Sequence, residues 1–476
     1  MSDSQGLRYE RHIPVRIDVD VFVAGGGPAG MAAAVAAARQ GKTVFLAESL
    51  TCFGGMGTAG MLPVFMAFGD STHFYADGFG REVSERLISA GGAPNKNLRG
   101  PYIVGEVLKR VYDDIAAEAG IDFIFQTSFV DVLKSGEHVD AAVCASKSGL
   151  FAVRARTYVD ATGDGDLCAR AGAPFEKGDA DGNLQPGTLC SLWANIDWER
   201  ANSAGNGAWR QDSQLERAFA DKVFSVDDRH LPGMLPVGQH VGGGNIGHSF
   251  SVDGTDDRSL TEAILRGRKC LLEYERYYKQ YLRGYESMSL VRTGSLFGIR
   301  ETRRITGDYV LAAADYYARA VFDDEIGRYN YWIDIHPSKA DPKAYEDHVK
   351  LRENPLKDGE SYGIPYRTLT PRRLQNVLVA GRCVSTDRNV QASIRVMPGC
   401  FITGQAAGIA AAIAADKTDG DVRAFPVKEL QRRLKKMGAF LPNFAEAPVQ
   451  ELPGLRPVVP PVLEPGAPAK PEKPAK

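Results

Sequence analysis

An α/β fold organised around a mainly parallel sheet is what this sequence predicts, and three observations predict it. The β-branched run Val19, Val21 and Val23 into Ala24 passes at once into a glycine-rich turn and an alanine-rich helix from Ala29 to about Gln40, the pattern of a buried parallel strand feeding a crossover helix. Strand-then-turn segments return far downstream, as TYVDATGDGD and as NVLVAGR, the second leading to an Ala/Gly-rich helix from about Gly399 to Ala415. The stretches between them differ in character, so one layer is interleaved in sequence with a second domain.

The elements follow in order. Gly41 ends the first helix and Thr43 to Ala47 is the next strand. Val104, Val107, Leu108, Val111, Ile115 and Ala119 recur at a helical period up to Gly120, ahead of the strand-like IDFIFQ. HVDAAVCAS and GLFAVRA, parted at Lys147 and Ser148, predict a small antiparallel hairpin as a side insertion, with TYVDATGDGD resuming the layer after it. From about Phe175 to Tyr366 the pattern is mixed: a strand over Thr188 to Ile196, a glycine-rich patch over Gly242 to Gly247, and helices over Leu260 to Tyr281 and Ile305 to Ala320. The last 29 residues hold nine prolines, which remove donors and fix φ, so a disordered tail is expected. The chain thus divides into an N-terminal arm (1–17), an interleaved layer domain (18–174 and 367–445), an inserted domain (175–366) and the tail (446–476).

Composition narrows the function. A formal charge of −2 over 476 residues offers no positive field for a nucleic acid or an anionic membrane. With 44% hydrophobic and 24% charged residues the chain carries enough apolar surface to fold. Seven scattered cysteines contain no CxxC pair, which points to a reducing compartment without a metal cluster. The polar start lacks a signal peptide's apolar core, so a cytoplasmic location is expected. The apolar stretch from Cys400 to Ala415 falls short of the roughly 20 residues of a membrane span, and is expected to be a buried helix. Homo-oligomerisation is left open.

The motif richest in chemistry is Gly25-Gly26-Gly27-Pro28-Ala29-Gly30, with Glu48 ending the following strand 18 residues beyond Gly30. Gly25 permits the tight turn, Gly27 lets backbone approach a pyrophosphate, Gly30 lets helix and strand pack closely, and the helix N-terminus offers free N–H groups. Glu48 accepts hydrogen bonds from a ribose diol. The turn alone does not separate FAD from NAD.

Taken together, Gly25 to Gly30, Glu48, CFGGMGTAG at Cys52 to Gly60, VDATGDGDLCARAGAP at Val159 to Pro174 and NVLVAGRCVS at Asn376 to Ser385 resemble the FAD-dependent oxidoreductase family of glutathione-reductase-like flavoproteins. More narrowly, GIRETRRITGDYVL, IDIHP and SIRVMPGCFITGQAAGIAAA resemble its "FAD dependent oxidoreductase" subfamily, distantly similar to fumarate-reductase and thiazole-synthesis flavoproteins, over about Asp18 to Ala415. The resemblance implies a Rossmann-like FAD-binding domain, three-layered on a mainly parallel sheet, with a mixed α+β substrate domain inserted. It implies FAD held by Gly25, Gly27, Pro28, Ala29, Gly30 and Glu48, by Gly55 and Thr58 of the next loop, by Val130, and by Ala161, Thr162 and Gly163 beside the first turn. Gly381, Arg382 and Gly404 complete that set, and the final helix directs its N-terminal dipole at the flavin.

No second GxGxxG follows a strand and no CxxxxC follows the first motif, so neither a built-in NAD(P)H domain nor a redox dithiol is expected. For substrate chemistry, Arg300, Arg303 and Arg304 fall near one face if GIRETRR is helical, and either clamp a carboxylate or phosphate or are satisfied by Glu301, Asp308 and solvent. His336 in YWIDIHP and His248 after GGGNIG are candidate bases for an O–H or N–H proton. Arg395 and Tyr366 complete the candidates. The expectation is two-electron oxidation or reduction of a small polar substrate, dehydrogenase or reductase in type, with the electron partner unassigned. An oxygen-reactive oxidase or monooxygenase, or an electron-transfer subunit, are the alternatives.

Overall fold

The computed structural model describes residues 6–205, 212–228, 233–341 and 356–445, with 343 and 346 between the last two stretches. The chain opens with β1 (Val15–Ala24), α1 (Pro28–Arg39) and β2 (Val44–Ala47), then α2 (Phe79–Ser89), α3 (Gly105–Ala119), β3 (Asp122–Ile124), β4 (Ser128–Ser135), β5 (His138–Ser146), β6 (Gly149–Asp160) and α4 (Asp166–Arg170). These strands form one sheet in the order β3-β2-β1-β6-β5-β4. β1 runs parallel to β2 with Ala24 opposite Ala47, and parallel to β6 with Ala24 opposite Asp160. β1 begins at Val15, so its first residues come from the stretch expected to be an arm.

The hairpin between β5 and β6 turns at Lys147 and Ser148, with Ser146 opposite Gly149. What the sequence presented as a hairpin strand followed by a separate layer strand is one continuous β6 of 12 residues. Its first half pairs antiparallel with β5, and its last three residues pair parallel with β15 (Val377–Val379), Val379 opposite Asp160. The chain's return to its first layer is therefore direct backbone pairing. Phe22, Ala24, Phe45, Ala47, Phe151, Val153, Tyr158, Val377 and Val379 share one core.

Between Phe175 and Pro365 lie β7 (Phe175–Lys177), β8 (Ser191–Ala194), α5 (Trp198–Ser203), α6 (Asp212–Ala220), β9 (Met234–Gly238), β10 (Val241–Gly244), α7 (Asp257–Tyr281), β11 (Ser289–Thr293), β12 (Arg303–Ile305), α8 (Ala313–Ala318), β13 (Glu325–Tyr329) and β14 (Tyr362–Pro365). An antiparallel sheet β11-β8-β10-β9 buries Trp193, Met234 and Ile246 against Leu271, Tyr274 and Tyr277 of α7. β12-β7 and β13-β14 form separate two-stranded pairs. The expected helix over Ile305 to Ala320 is absent: β12 pairs with β7 there and only α8 is helical, because Gly307 sits in a bridge to Pro371 that breaks the run. GIRETRR is extended and not helical, so its arginines do not share a helix face.

After β15 come α9 (Arg388–Ile394), α10 (Met397–Lys417) and α11 (Val427–Lys436). At 21 residues α10 is longer than expected and apolar enough to cross a bilayer, yet its apolar window is wholly buried within the fold. A Cβ on Gly404 would overlap Ala29 O and one on Gly408 would overlap Ala33 O, so α10 crosses α1 at backbone contact. Residues up to Asn443 pack as a single compact unit. The proline-rich tail lies outside the described residues.

Candidate active site

The glycine turn is built as its spacing predicts. Gly25 has φ +94°, and a Cβ there would lie 2.7 Å from Ala161 O, so only glycine lets β1 end against the Ala161–Gly163 segment. Ala161 N donates to Ala24 O at 3.0 Å, fixing that juxtaposition. A Cβ on Gly30 would overlap Gly25 O, whereas one on Gly27 meets nothing within 4 Å. Gly27 caps α1 without a side-chain hydrogen bond and Pro28 is in the first turn, so the first-turn N–H groups of Ala29 and Gly30 face this open concavity unpaired within the helix. Gly55 closes over it, its Cβ direction 3.5 Å from Gly27 Cα.

Glu48 is 5% exposed. Its Oε2 accepts from Gly26 N at 2.6 Å and its Oε1 from Leu50 N at 2.7 Å. Burial pushes this carboxyl above the usual carboxylate range, against the pull of those N–H donors. The carboxylate is thereby fixed at the edge of the turn.

Several expected cofactor contacts have other work. Arg382 donates to Gly163 O (2.9 Å), Ile299 O (2.9 Å) and Asp164 Oδ1 (2.6 Å), tying the Gly163 turn to the Arg300 segment. The Thr162 hydroxyl donates to buried Asp160 at 2.8 Å, and that of Thr58 to Phe53 O within its own loop. Gly404 serves the α1–α10 crossing. Val130 lies at a register shift on β4, three residues beyond Thr127, whose N–H donates to Glu48 O at 2.9 Å. Gly381 has φ +86° and packs against Ala29 and Cys400 at the start of α1 and α10.

Four of the five catalytic candidates converge. His248 Nε2 lies 2.9 Å from His336 Nδ1. His248 Nδ1 is 3.2 Å from Asp228 Oδ1, and its backbone N–H donates to Asp228 Oδ2 at 3.0 Å. At the other end His336 Nε2 is 3.3 Å from Asp334 Oδ2, to which Arg395 also donates, at 3.4 Å, besides donating to Asp334 O at 2.9 Å. Arg300 donates to Pro186 O (2.7 Å) and Thr188 Oγ1 (3.0 Å). Gln185 accepts from His336 N and donates to Gln391, which donates to Arg300 O at 2.9 Å. Tyr366 does not join them: its hydroxyl donates to Val422 O at 2.6 Å and its ring packs on Phe425. Arg303 pairs with Asp166, and Arg304 with Glu301.

The cluster is buried and its charges interact strongly. Burial, then the neighbouring Arg395, lowers the Arg300 guanidinium to about 10. Burial, then Arg300, holds His336 well below the ordinary imidazole range, and burial holds His248 below it. Both rings are therefore neutral near pH 7. Arg395 Nε is buried without a hydrogen-bond partner among the described residues, an open donor beside Asp334. The Met56–Ala59 loop touches the segments that lead to Arg300 and Arg395: Ser295 N donates to Ala59 O, a Cβ on Gly298 would lie 3.0 Å from Met56 Cε, and one on Gly57 would lie 3.2 Å from Met397 Sδ.

Sequence reasoning missed Asp228, Asp334, Gln185 and Gln391. Asp334 stands two residues before His336 within IDIHP, where extended alternation puts both on one side, a signal that was readable. Asp228, 20 residues from His248, gave none.

A parallel layer whose first glycine turn leaves one open concavity beside a buried carboxylate, with a buried His/Arg cluster adjoining, defines a dinucleotide-binding oxidoreductase. The chain belongs to the FAD dependent oxidoreductase family, whose profile matches residues 20–434. Its cofactor is FAD, and the residues fit that group: the open space at Gly27 would take a pyrophosphate, Glu48 would face a ribose, and Arg395 Nε would donate to a flavin or substrate acceptor. No curated protein matches the chain. Among solved structures it is similar to a geranylgeranyl bacteriochlorophyll reductase-like protein from Thermoplasma acidophilum (12% identity, 89% of this chain and 84% of that one, TM-score 0.43). It is also similar to the OxyS anhydrotetracycline hydroxylase from Streptomyces rimosus (11%, 88% and 66%, TM-score 0.42) and to p-nitrophenol 4-monooxygenase from Pseudomonas putida (12%, 62% and 70%, TM-score 0.39).

Proposed function

We propose that this FAD-dependent oxidoreductase is of the dehydrogenase or reductase type and exchanges two electrons with a small polar substrate. One observation carries the reading: His248, Arg300, His336 and Arg395, from four distant segments, meet in one buried cluster, and Arg382 ties the Arg300 segment to the Gly163 turn beside Gly25. FAD supplies the two-electron acceptor or donor when bound. His336, neutral near pH 7, accepts or returns the O–H or N–H proton of the substrate. Arg300 is locked by Pro186 O and Thr188 and presents its charge to the site without moving. Arg395, with Nε open, orients the substrate's polar group. Burial of all four side chains strengthens each of these interactions.

The test is a substrate screen followed in the flavin absorbance, with hydroxy acids and sugar derivatives added to the FAD-loaded protein and enoates added to the same protein first reduced with dithionite. Bleaching by one donor class, or return of colour with an enoate, without oxygen and with slow recovery in air supports the reading. Recovery within the mixing time would replace it with an oxidase. His336→Asn is expected to lower turnover about 10²–10⁴-fold while FAD content stays unchanged.

A further inference from the structure

We propose that the Tyr112 hydroxyl donates a hydrogen bond to the pyrophosphate of FAD, a contact outside the glycine turn and its acidic partner. Tyr112 lies on the inward face of α3, whose buried residues Leu108, Val111, Tyr112, Ile115 and Ala116 recur at helical spacing. Leu108 and Tyr112, four residues apart, cover the loop that follows Glu48. A Cβ on Gly57 would lie 3.0 Å from Leu108 Cδ2, and one on Gly54 would lie 2.6 Å from Tyr112 Cε2. Phenylalanine would fill the second seat with apolar surface alone. Tyrosine adds an oxygen there, and the residue is 0% exposed with that hydroxyl unpartnered among the described residues.

A buried hydroxyl without an acceptor is costly, and native proteins leave few of them. Among the described residues the Cys400 thiol is the one group whose charge acts on this hydroxyl, and that thiol donates elsewhere, to Arg395 O at 3.3 Å. The Thr58 hydroxyl, which also lies against Gly54, donates to Phe53 O. Burial pushes the Tyr112 phenol well above its usual range, so the oxygen keeps its hydrogen and stays a donor.

The groups that bracket Tyr112 both border the N-terminus of α1. Gly54 N donates to Gly26 O at 2.9 Å, and the Cβ direction of the next residue, Gly55, comes 3.5 Å from Gly27 Cα. Cys400, in the first turn of α10, lies 3.7 Å from the Cβ direction of Gly381, which in turn comes 2.9 Å from Ala29 Cβ. These residues therefore flank Gly27 to Ala29, where α1 presents its free N–H groups and an anion belongs. An O–H joined to those N–H groups makes a charge-assisted bond to a phosphate oxygen. The inference rests on FAD as the cofactor and not on the substrate reading above.

The test is the affinity of the full-length Tyr112→Phe protein for FAD, by equilibrium dialysis, and for ADP, by the FAD fluorescence it releases; ADP carries the pyrophosphate without the flavin. Losing a hydrogen bond to a charged group is expected to raise both dissociation constants by the same factor, about 10–100-fold. Tyr366→Phe is the control, because that hydroxyl is bonded within the fold to Val422 O at 2.6 Å. It is expected to lower the urea midpoint and leave both constants unchanged. Three results for Tyr112→Phe would overturn the assignment: FAD affinity within twofold of the parent, weakened FAD with unchanged ADP, or failure to fold. The hydroxyl would then be idle, turned to the flavin, or bonded within the protein, respectively. A flavin that no class in the substrate screen reduces or reoxidises would sink the redox reading and leave the Tyr112 result standing.

Discussion

Gly27 and Gly30 lie three residues apart in the same turn and predict opposite failures. The Cβ direction of Gly27 opens on free space, whereas that of Gly30 runs into Gly25 O. Gly27→Val should therefore fold with an unchanged apo unfolding midpoint and lose FAD by tenfold or more, read from flavin released on denaturation, an effect of about 1.4 kcal/mol or more in binding. Gly30→Ala should instead cost about 1–3 kcal/mol of fold stability, read by chemical denaturation. The glycines were legible because a turn's backbone demand is written in four or five consecutive residues. The bonds that Arg382, Thr162 and Thr58 make to Asp164, Asp160 and Phe53 O were not legible, because they are matters of tertiary placement. The same holds for the catalytic candidates: residue type picked out His336, His248, Arg300 and Arg395, but Tyr366 satisfied the same criteria and is occupied by Val422 O.

Helices with strong periodicity were read nearly to the residue, as α7 and α3 show, because an amphipathic face repeats its signal over many turns. Short elements were not. Ile305 to Ala320 has helical composition, yet Ile305 is drawn into pairing with Phe175, and a three-residue pairing leaves no period to detect. β6 was divided in two because its halves have different neighbours, while its backbone runs unbroken. At this scale the α1–α10 crossing is the exposed point. Gly408→Val places a branched side chain onto Ala33 O, and should lower stability by about 1–3 kcal/mol or more in a denaturation experiment that leaves α7 packing untouched.

For the whole molecule, pH couples to the buried histidines. Unfolded, each ring binds a proton near pH 6.5, whereas burial holds both His248 and His336 lower in the folded state. Between the folded values and 6.5 the unfolded chain binds more protons, so stability falls as pH falls through that window. Urea midpoints at pH 7.5 and 5.5 should differ accordingly, and the difference should shrink in His248→Asn. The thiols report on the same packing. Among the seven free cysteines Cys270 alone is half-exposed, and burial raises Cys144 and Cys400 to about 12 and Cys168 and Cys383 further. A thiol reagent on the native protein should modify Cys270 first, located by mass spectrometry.

The pairing of β15 with the end of β6 also sets an order of events during synthesis. β6 is complete once Asp160 has emerged, but the strand that covers its last three residues arrives only with Val377. At about 5–20 residues per second a ribosome needs roughly 10–40 s to bridge that gap. Throughout that interval the centre of the sheet presents an unpaired edge to every other nascent chain nearby. Survival of newly made protein then depends on whatever shields that edge until its last strand arrives.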